Sequence, residues 1–278
     1  MPTHSSPNSK SPARAGVAAS GRQGAGRRLV IAGNWKMNGS MNTVEHFALR
    51  LAERVHSSPS EILIFPAAVH IAPAVHSFRD QAVGIGGQDI HPEAHGAHTG
   101  DVSGEMLYDL GARWVLVGHS ERRSLHLEDD ELVARKVVAA LRSGLHPVLC
   151  VGETLAEREA GEAQAVVRRQ LAAVLDAVGT AAFIEVTVAY EPVWAIGTGE
   201  TATPSQAQEM HQALRNQLQQ ASPKLAAKVR LLYGGSVKPD NAADLFAAPD
   251  IDGALIGGAS LTADSFADII AAADTLAV

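Results

Sequence analysis

Short apolar segments recur along the chain and alternate with segments whose apolar residues have a helical spacing. Each apolar segment is almost continuous in hydrophobic and β-branched residues and is bounded by glycine or proline. This pattern is typical of parallel strands that are covered on both faces. It therefore predicts eight buried strands, at residues 28–34, 61–67, 82–88, 113–119, 146–152, 185–191, 229–235 and 252–258.

The segments between most of these strands predict amphipathic helices, because their apolar residues return every three to four positions. The first has an apolar stripe formed by Val44, Phe47, Leu51 and Val55. The predicted helices lie at residues 41–55, 129–144, 163–179, 205–218 and 265–277. In the fourth of them we expect Ser205, which follows Pro204, to be the N-cap.

Alternation of strands and helices predicts an α/β fold with a parallel sheet and right-handed crossovers. Eight such units in about 250 residues are typical of a closed (β/α)8 TIM barrel. The alternative, an open doubly wound sheet, requires a nucleotide-binding glycine fingerprint after the first strand, and the sequence AGNWKMNG at residues 32–39 lacks one. No Pro- or Ser-rich linker divides the body, so we predict one barrel domain over residues 29–278.

Residues 1–28 differ in composition from the body of the chain. They contain five basic residues and no acidic one, and they are rich in Ser, Ala, Gly and Pro without apolar periodicity. We predict that this segment is a disordered tail. No apolar stretch of the length of a secretory signal follows the basic residues, whereas an organelle transit peptide stays open as an alternative.

Composition excludes several classes of function. The net charge is −7 although the tail is basic, so the body is acidic and we expect no nucleic-acid partner. No apolar run is long enough to span a bilayer, so we expect no membrane insertion. The single cysteine, Cys150, lies in an apolar run and is interpreted as a packed thiol in a reducing compartment, which favours the cytoplasm.

Polar and glycine residues follow most of the predicted strands. In a barrel the carboxyl ends of all strands meet at one face, where active sites lie. A charge such as Glu191 is costly at the end of a buried strand unless it has a function there. The residues are Asn34 and Lys36 after the first strand, His119, Ser120 and Glu121 after the fourth, Glu191 after the sixth, 233–236 after the seventh and 257–260 after the eighth. Together they predict one pocket.

The loops after the last two strands predict an anion site within this pocket. Both are glycine-rich, at residues 234–236 and 257–260, and both precede a helical segment. Glycines let the backbone approach a ligand, and the N–H groups at helix starts bind anions. These loops are also the usual phosphate site of a TIM barrel, so we expect a phosphorylated ligand rather than two unoccupied tight turns.

Five segments resemble the signature segments of the triosephosphate isomerase family: AGNWKMNG, VGHSERR, AYEPVWAIGTG, YGGSV and IGGASL. They occur in the order and spacing of that family, from about residue 29 to the end of the chain. The resemblance implies a cofactor-free isomerase of glycolysis and gluconeogenesis. Its reaction would interconvert dihydroxyacetone phosphate and D-glyceraldehyde 3-phosphate through an enediolate intermediate.

The same resemblance implies roles for the catalytic residues. Glu191 matches the general base, and His119 matches the neutral electrophile that polarises the substrate carbonyl. Lys36 matches the cation that supports the negative charges of the enediolate and the phosphate, with Asn34 as a further donor. Glu121 is a hypothetical ion-pair partner of Lys36 or of a neighbouring arginine, and a surface helix acid is the alternative.

Phosphate contacts through backbone N–H groups are also implied, at Gly197, Ser236, Gly257 and Gly258. Residues 193–202 resemble a lid with a hinge at each end and its tip at residues 195–199. Closure of such a lid excludes water and prevents loss of phosphate from the reactive enediolate. Glu200 occupies a position where the family more often has a basic residue.

Residues 86–107 resemble the loop through which this family forms homodimers. Gln88, Thr99 and Asp101 fit that loop, whereas His98 replaces the aromatic residue that usually precedes the threonine. The resemblance implies a homodimer in which the loop around Thr99 enters the partner subunit. His91, His95 and His98 of this loop have no Cys or carboxylate framework at a known ligand spacing, so we predict no metal site.

Two other functions are weighed against the isomerase. A lyase of the same architecture would favour a Schiff-base lysine in a strand in the middle of the barrel, and none of the predicted strands contains one there. A barrel retained only for binding or structure would be supported by loss of a catalytic residue. Asn34, Lys36, His119 and Glu191 are all present, so the isomerase is the favoured function.

Overall fold

The computed structural model describes residues 26–196 and 201–276. Within them, parallel strands form a closed barrel in which each strand pairs with its neighbours in chain order and the last pairs with the first. The strands are β1 (Val30–Asn34), β2 (Glu61–Phe65), β3 (Val83–Gly87), β4 (Trp114–Val117), β5 (His146–Val151), β6 (Thr187–Tyr190), β7 (Leu231–Tyr233) and β8 (Gly253–Ile256). The predicted α/β barrel and its eight strands are confirmed.

Helices follow the strands and surround the barrel. In the described residues they are α1 (Met41–Arg54), α2 (Ile71–Ser77), α3 (Gly104–Asp109), α4 (Ser120–Leu125), α5 (Asp130–Arg142), α6 (Leu155–Glu159), α7 (Ala163–Ala182), α8 (Pro204–Ala221), α9 (Pro223–Lys228), α10 (Ala242–Phe246) and α11 (Ala263–Asp274). The five predicted helices are confirmed as α1, α5, α7, α8 and α11. None of these helices has the length and apolar character that crossing a bilayer requires, over the part of the chain that the structure describes.

The core has two layers, which explains why the strands are continuously apolar. Strand residues such as Ile31 pack with helix residues such as Val44 and Phe47 in a large outer cluster. Residues at the alternate strand positions form a second cluster that contains only strand residues and fills the interior of the barrel. Cys150 is buried in this inner cluster, as predicted for a packed thiol.

The end of the predicted tail contacts the barrel. Residues 1–25 of the predicted disordered tail lie outside the described residues. Arg27 and Arg28 are described, and both are bonded to the barrel: Arg27 donates to the Asp252 carboxylate, and Arg28 donates to the carbonyls of Pro59 and Ser60.

The N-cap of α8 was predicted at the wrong residue. Thr203 is the N-cap: its hydroxyl accepts a hydrogen bond from the Gln206 N–H, and the Gln206 side chain accepts one from the Thr203 N–H. Pro204 is then the first helical residue, where its missing N–H costs nothing. Proline favours the first helical position over the position that precedes an N-cap. Pro204 is therefore inside the helix, and Ser205 lies in the first turn.

Candidate active site

A cavity of about 360 Å³ opens at the face where the carboxyl ends of the strands meet. Most of the site residues predicted from the sequence line it, namely Asn34, Lys36, His119, Glu191, Ser236, Gly257 and Gly258. The remaining one, Gly197, lies outside the described residues. The folded chain thus gathers residues from β1, β4, β6, β7 and β8 around one cavity.

Glu191 follows β6 directly and is held by two neighbouring glycines. It is buried, and its N–H donates to the Val151 carbonyl, which continues the pairing of β6 with β5. A Cβ atom on Gly152 would lie 1.8 Å from the Glu191 carbonyl oxygen, and one on Gly234 would lie 2.8 Å from its Cγ. Larger residues at these two positions would therefore displace Glu191.

The Glu191 carboxylate is hydrogen-bonded to the amino end of α4. Its Oε2 accepts from the Ser120 N–H at 2.9 Å, and its Oε1 lies 2.9 Å from His119 Nε2. Burial alone would raise the pKa of Glu191, but the charge and hydrogen bond of His119, the Ser120 N–H and the charge of Lys36 outweigh it and lower that pKa. The carboxylate is therefore ionised, and all its stabilising partners are donors from which it could move away.

His119 is the N-cap of α4, and this position determines which ring nitrogen carries the proton. Its Nδ1 accepts a hydrogen bond from the Glu121 N–H at 3.2 Å. In a neutral imidazole the proton is then on Nε2, which faces Glu191. Burial lowers the pKa of His119 and the nearby Glu191 carboxylate raises it, with a net upward shift. Glu191 raises this pKa more than the other nearby carboxylate, Glu121, so the pKa of His119 falls if Glu191 moves away.

Lys36 has an unusual backbone conformation that aims its side chain into the cavity. Its φ is 53°, in the left-handed region that non-glycine residues rarely adopt. The N–H of Lys36 donates to Asn34 Oδ1 at 3.0 Å, and its carbonyl accepts from Gln88 Nε2 at 2.8 Å. The side chain donates to the Glu121 carboxylate, which confirms the predicted ion pair with Lys36.

The opposite wall of the cavity consists of the loops after β7 and β8. Gly258 begins a short 3-10 turn, so its N–H is among the groups that have no acceptor within the turn. A Cβ on Gly258 would meet no atom within 4 Å, whereas one on Gly257 would lie 3.6 Å from Lys36 Cε. This wall therefore offers backbone donors and open space beside a cation. Lys238, which the sequence analysis did not identify, adds a second cation at the rim.

A buried carboxylate that sequence analysis missed holds the first hinge of the proposed lid. Glu153 is fully buried, and its Oε1 accepts from Tyr190 OH at 3.0 Å, Trp194 Nε1 at 2.9 Å and Arg158 Nη1 at 3.2 Å. Trp194 lies in the short turn Val193–Ala195 that follows Glu191. Glu153 had the same sequence signal as Glu191, since both are acids just beyond a buried strand.

These groups suit proton transfer next to a carbonyl of an anionic substrate. A movable carboxylate is a base, a neutral imidazole N–H polarises a carbonyl oxygen, and a lysine stabilises the developing negative charge.

Residues 29–273 match the family described as Triosephosphate isomerase. Relatives of that name from Xanthomonas axonopodis pv. citri and Stenotrophomonas maltophilia are each 49% identical over 247 residues, which is 89% of this chain and 98% of the relative. By its sequence and its barrel alike, the chain belongs to the triosephosphate isomerase family.

Proposed function

We propose that this protein interconverts dihydroxyacetone phosphate and D-glyceraldehyde 3-phosphate by proton transfer through an enediolate. The observation that carries the proposal is the contact of His119 Nε2 with Glu191 Oε1, at 2.9 Å, in a cavity whose opposite wall is formed by two glycine-rich loops. It combines an acid–base pair and a candidate anion site in one cavity. Membership of the family supports the same reaction.

In this mechanism Glu191 is the general base. Its carboxylate leaves the Ser120 N–H and His119 and takes a proton from the carbon next to the substrate carbonyl. The move removes the donors that lower the pKa of Glu191 while burial, which raises that pKa, persists. Glu191 therefore becomes a stronger base at the moment when it faces the substrate. After a proton has moved from one oxygen of the enediolate to the other, Glu191 returns its proton to the neighbouring carbon.

His119 and Lys36 stabilise the enediolate in this proposal. With Nδ1 held by the Glu121 N–H, His119 presents Nε2–H to the substrate oxygen that gains negative charge. Departure of Glu191 removes the charge that raises the pKa of His119, so the neutral imidazole is favoured during catalysis. The Lys36 side chain is bonded to Glu121 and passes close to Gly257, and we propose that its ammonium stabilises the negative charges of this oxygen and of the phosphate.

The phosphate is proposed to bind to the N–H groups of Gly197, Ser236, Gly257 and Gly258. We propose that residues 193–202 close over it as a lid, anchored at the first hinge by Glu153. Closure would exclude water and hold the enediolate in a geometry that does not eliminate phosphate.

We also propose that two copies associate through the loop around Thr99. Large apolar side chains are exposed in the segments that follow β1, β2 and β4, at Met37, Val69, Leu125 and Leu127. Exposed apolar side chains that follow neighbouring strands are typical of an interaction surface. Sedimentation analysis is expected to give twice the chain mass of 29.1 kDa, and Thr99→Arg is expected to shift the protein toward the single-chain mass.

The remaining proposals concern the ends of the domain and its location. We propose that the barrel is the catalytic domain and that residues 1–25 take no part in the reaction. A cytoplasmic location is supported by the single cysteine, which is buried and unpaired within the described residues. Removal of residues 1–25 is expected to leave kcat and KM unchanged, which steady-state kinetics would measure.

A coupled assay of purified protein tests the reaction itself. Wild type is expected to turn over D-glyceraldehyde 3-phosphate, and Glu191→Asp, which withdraws the carboxylate by one methylene, is expected to be much slower. No turnover by wild type would reject the isomerase and, with retained phosphate binding, favour a binding barrel. Trapping of substrate on a lysine by borohydride would favour a lyase.

A further inference from the structure

A polar side chain interrupts the buried face of α7. Gln170 is 6% exposed, and the other buried residues of this helix are Val166, Val167, Leu171 and Val174. An amide in such surroundings is costly unless its oxygen and nitrogen are hydrogen-bonded. The place of Gln170 on the apolar face of α7 therefore requires polar partners on the barrel.

Gly152, just beyond the carboxyl end of β5, supplies both a donor and an acceptor. Gln170 Oε1 accepts from the Gly152 N–H at 2.8 Å, and Gln170 Nε2 donates to the Gly152 carbonyl at 3.1 Å. A donor and an acceptor on the same residue also fix which end of the amide is the oxygen. Gln170 thus holds the backbone of Gly152 through both of its polar groups.

Gly152 needs such a partner because β4 has already left the sheet at this height. The pairing of β5 with β4 ends at Leu149. On the opposite edge of β5, the carbonyls on either side of Gly152 accept N–H groups from the segment that follows β6. Backbone groups alternate between the two edges of a strand, so those of Gly152 face the edge without β4. Gln170 takes the place of the missing strand there.

The position of Gly152 affects two carboxylates. A Cβ atom on Gly152 would overlap the Glu191 carbonyl oxygen, so the Cα of Gly152 lies against the backbone of Glu191. The next residue along the chain, Glu153, is bonded to Trp194 at the first hinge. Movement of Gly152 would therefore displace both the carboxylate that lines the cavity and the carboxylate that anchors the hinge.

We propose that Gln170 is a positioning residue for Glu191, an inference that rests on the proposed function. Gln170 is not among the residues that line the cavity, and it acts through Gly152. Misplacement of a catalytic group by about 1 Å can lower a rate about a hundredfold. Loss of the amide should therefore lower kcat. KM should change little, because the proposed phosphate donors lie in the lid and in the loops after β7 and β8.

Gln170→Met tests the contact, because methionine keeps the length of the side chain and removes both hydrogen bonds. We expect kcat to fall by about ten- to a hundredfold and KM to stay within about twofold of wild type. Hydrogen exchange at the Gly152 amide, followed by NMR without substrate, should become at least about tenfold faster. Gln164→Met is the matched control, since Gln164 is exposed on the same helix and is bonded to Glu209. It should change none of these quantities.

Gln170→Glu separates positioning from packing. An ionised carboxylate accepts the Gly152 N–H but cannot donate to the Gly152 carbonyl, whereas a neutral carboxyl does both, as the amide does. Burial raises the pKa of a carboxyl above its ordinary value of about 4.3. The ratio of the kcat of this variant to that of wild type should therefore rise as pH falls from about 8 to about 5. For Gln170→Met the ratio should not depend on pH.

The outcomes distinguish this inference from the proposed function. No turnover by wild type would reject the function and, with it, any role of Gln170 in the reaction. If wild type is active, an unchanged kcat in Gln170→Met would reject the inference alone, as would equal exchange at Gly152 in the two proteins. A ratio for Gln170→Glu that does not depend on pH would also reject it, because Gln170 would then only pack. Circular dichroism of each variant checks that the barrel is intact.

Discussion

Two buried carboxylates occupy opposite ends of the barrel, and they are held in different ways. Asp252, before β8, is fully buried and accepts hydrogen bonds from the guanidinium groups of Arg215 at 2.6 Å and Arg27 at 2.9 Å. Glu191, after β6, is 2% exposed and is held by a backbone N–H and an imidazole. One carboxylate is bound to permanent cations, and the other to donors that it can exchange.

We interpret this difference as the same chemical group serving stability at one end and, at the other, the proton transfer proposed for Glu191. Moving Asp252 away from Arg215 would separate two buried opposite charges, so Asp252 is fixed. When Glu191 moves away from the amino end of α4, it loses its hydrogen-bond donors. Its basicity then rises, as proton abstraction requires. This interpretation predicts that changes at the two ends separate activity from stability.

The largest effect is expected for Glu191→Gln. Glutamine keeps the size of the side chain and an oxygen that accepts the Ser120 N–H, but it cannot take a proton from carbon. We expect kcat to fall by about 10³- to 10⁴-fold, the range of a lost general base, while the free energy of unfolding changes by less than about 1 kcal/mol. Steady-state kinetics and urea unfolding measure the two quantities, and a loss of activity below tenfold would refute the proposed role.

Asp252→Asn is the complementary change. It removes the nearer of the two carboxylates that pair with the largely buried guanidinium of Arg215 and leaves only Asp250, at 3.4 Å. We expect the free energy of unfolding to fall by roughly 3–5 kcal/mol, the typical cost of breaking a buried ion pair. At temperatures where the variant remains folded, kcat should stay within about twofold of wild type. A variant as stable as wild type, or one that loses activity while folded, would contradict the comparison.

Acid is expected to weaken the molecule through His211 on α8, near Asp252. Burial lowers the pKa of His211 to about 4 from an ordinary 6.5. The unfolded chain binds a proton at this histidine more readily than the folded chain does. The contribution of neutral His211 to the free energy of unfolding is therefore fully present above pH 6.5 and is lost as pH falls toward 4. The loss is up to about 3 kcal/mol. The free energy of unfolding, measured with urea at several pH values in this range, should depend less on pH in His211→Gln than in wild type. Replacement of exposed Thr or Ser residues should leave this pH dependence unchanged.

The strands were predictable because each is buried on both faces and therefore apolar throughout. The short helices α2, α3, α6 and α9 were not, because five to seven residues carry too little periodicity and the barrel supplies their stability. Site residues such as Glu191 and Lys36 were recognised from their segments and from their place after strands.

Three features required the folded chain. Glu153 follows a buried strand, as Glu191 does, but only its burial and its contact with Trp194 reveal its link to the hinge. The proton position on His119 depends on the Glu121 N–H. The approach of Asp101 to His91 depends on loop closure. Each is a distance between residues that local patterns do not encode.

The smallest effect is expected at Lys238, the exposed cation at the rim of the cavity. It attracts a phosphorylated substrate through solvent, where such interactions amount to about 0.2–1 kcal/mol. Lys238→Ala should therefore raise KM by about two- to fivefold and leave kcat unchanged, since no reacting atom loses a contact. The increase should shrink as salt rises, because exposed charges are screened. Lys224→Ala, on α9 before the amino end of β7, is the matched control and should change neither constant. A salt-independent increase, or a fall in kcat, would instead assign Lys238 to direct contact with the bound substrate.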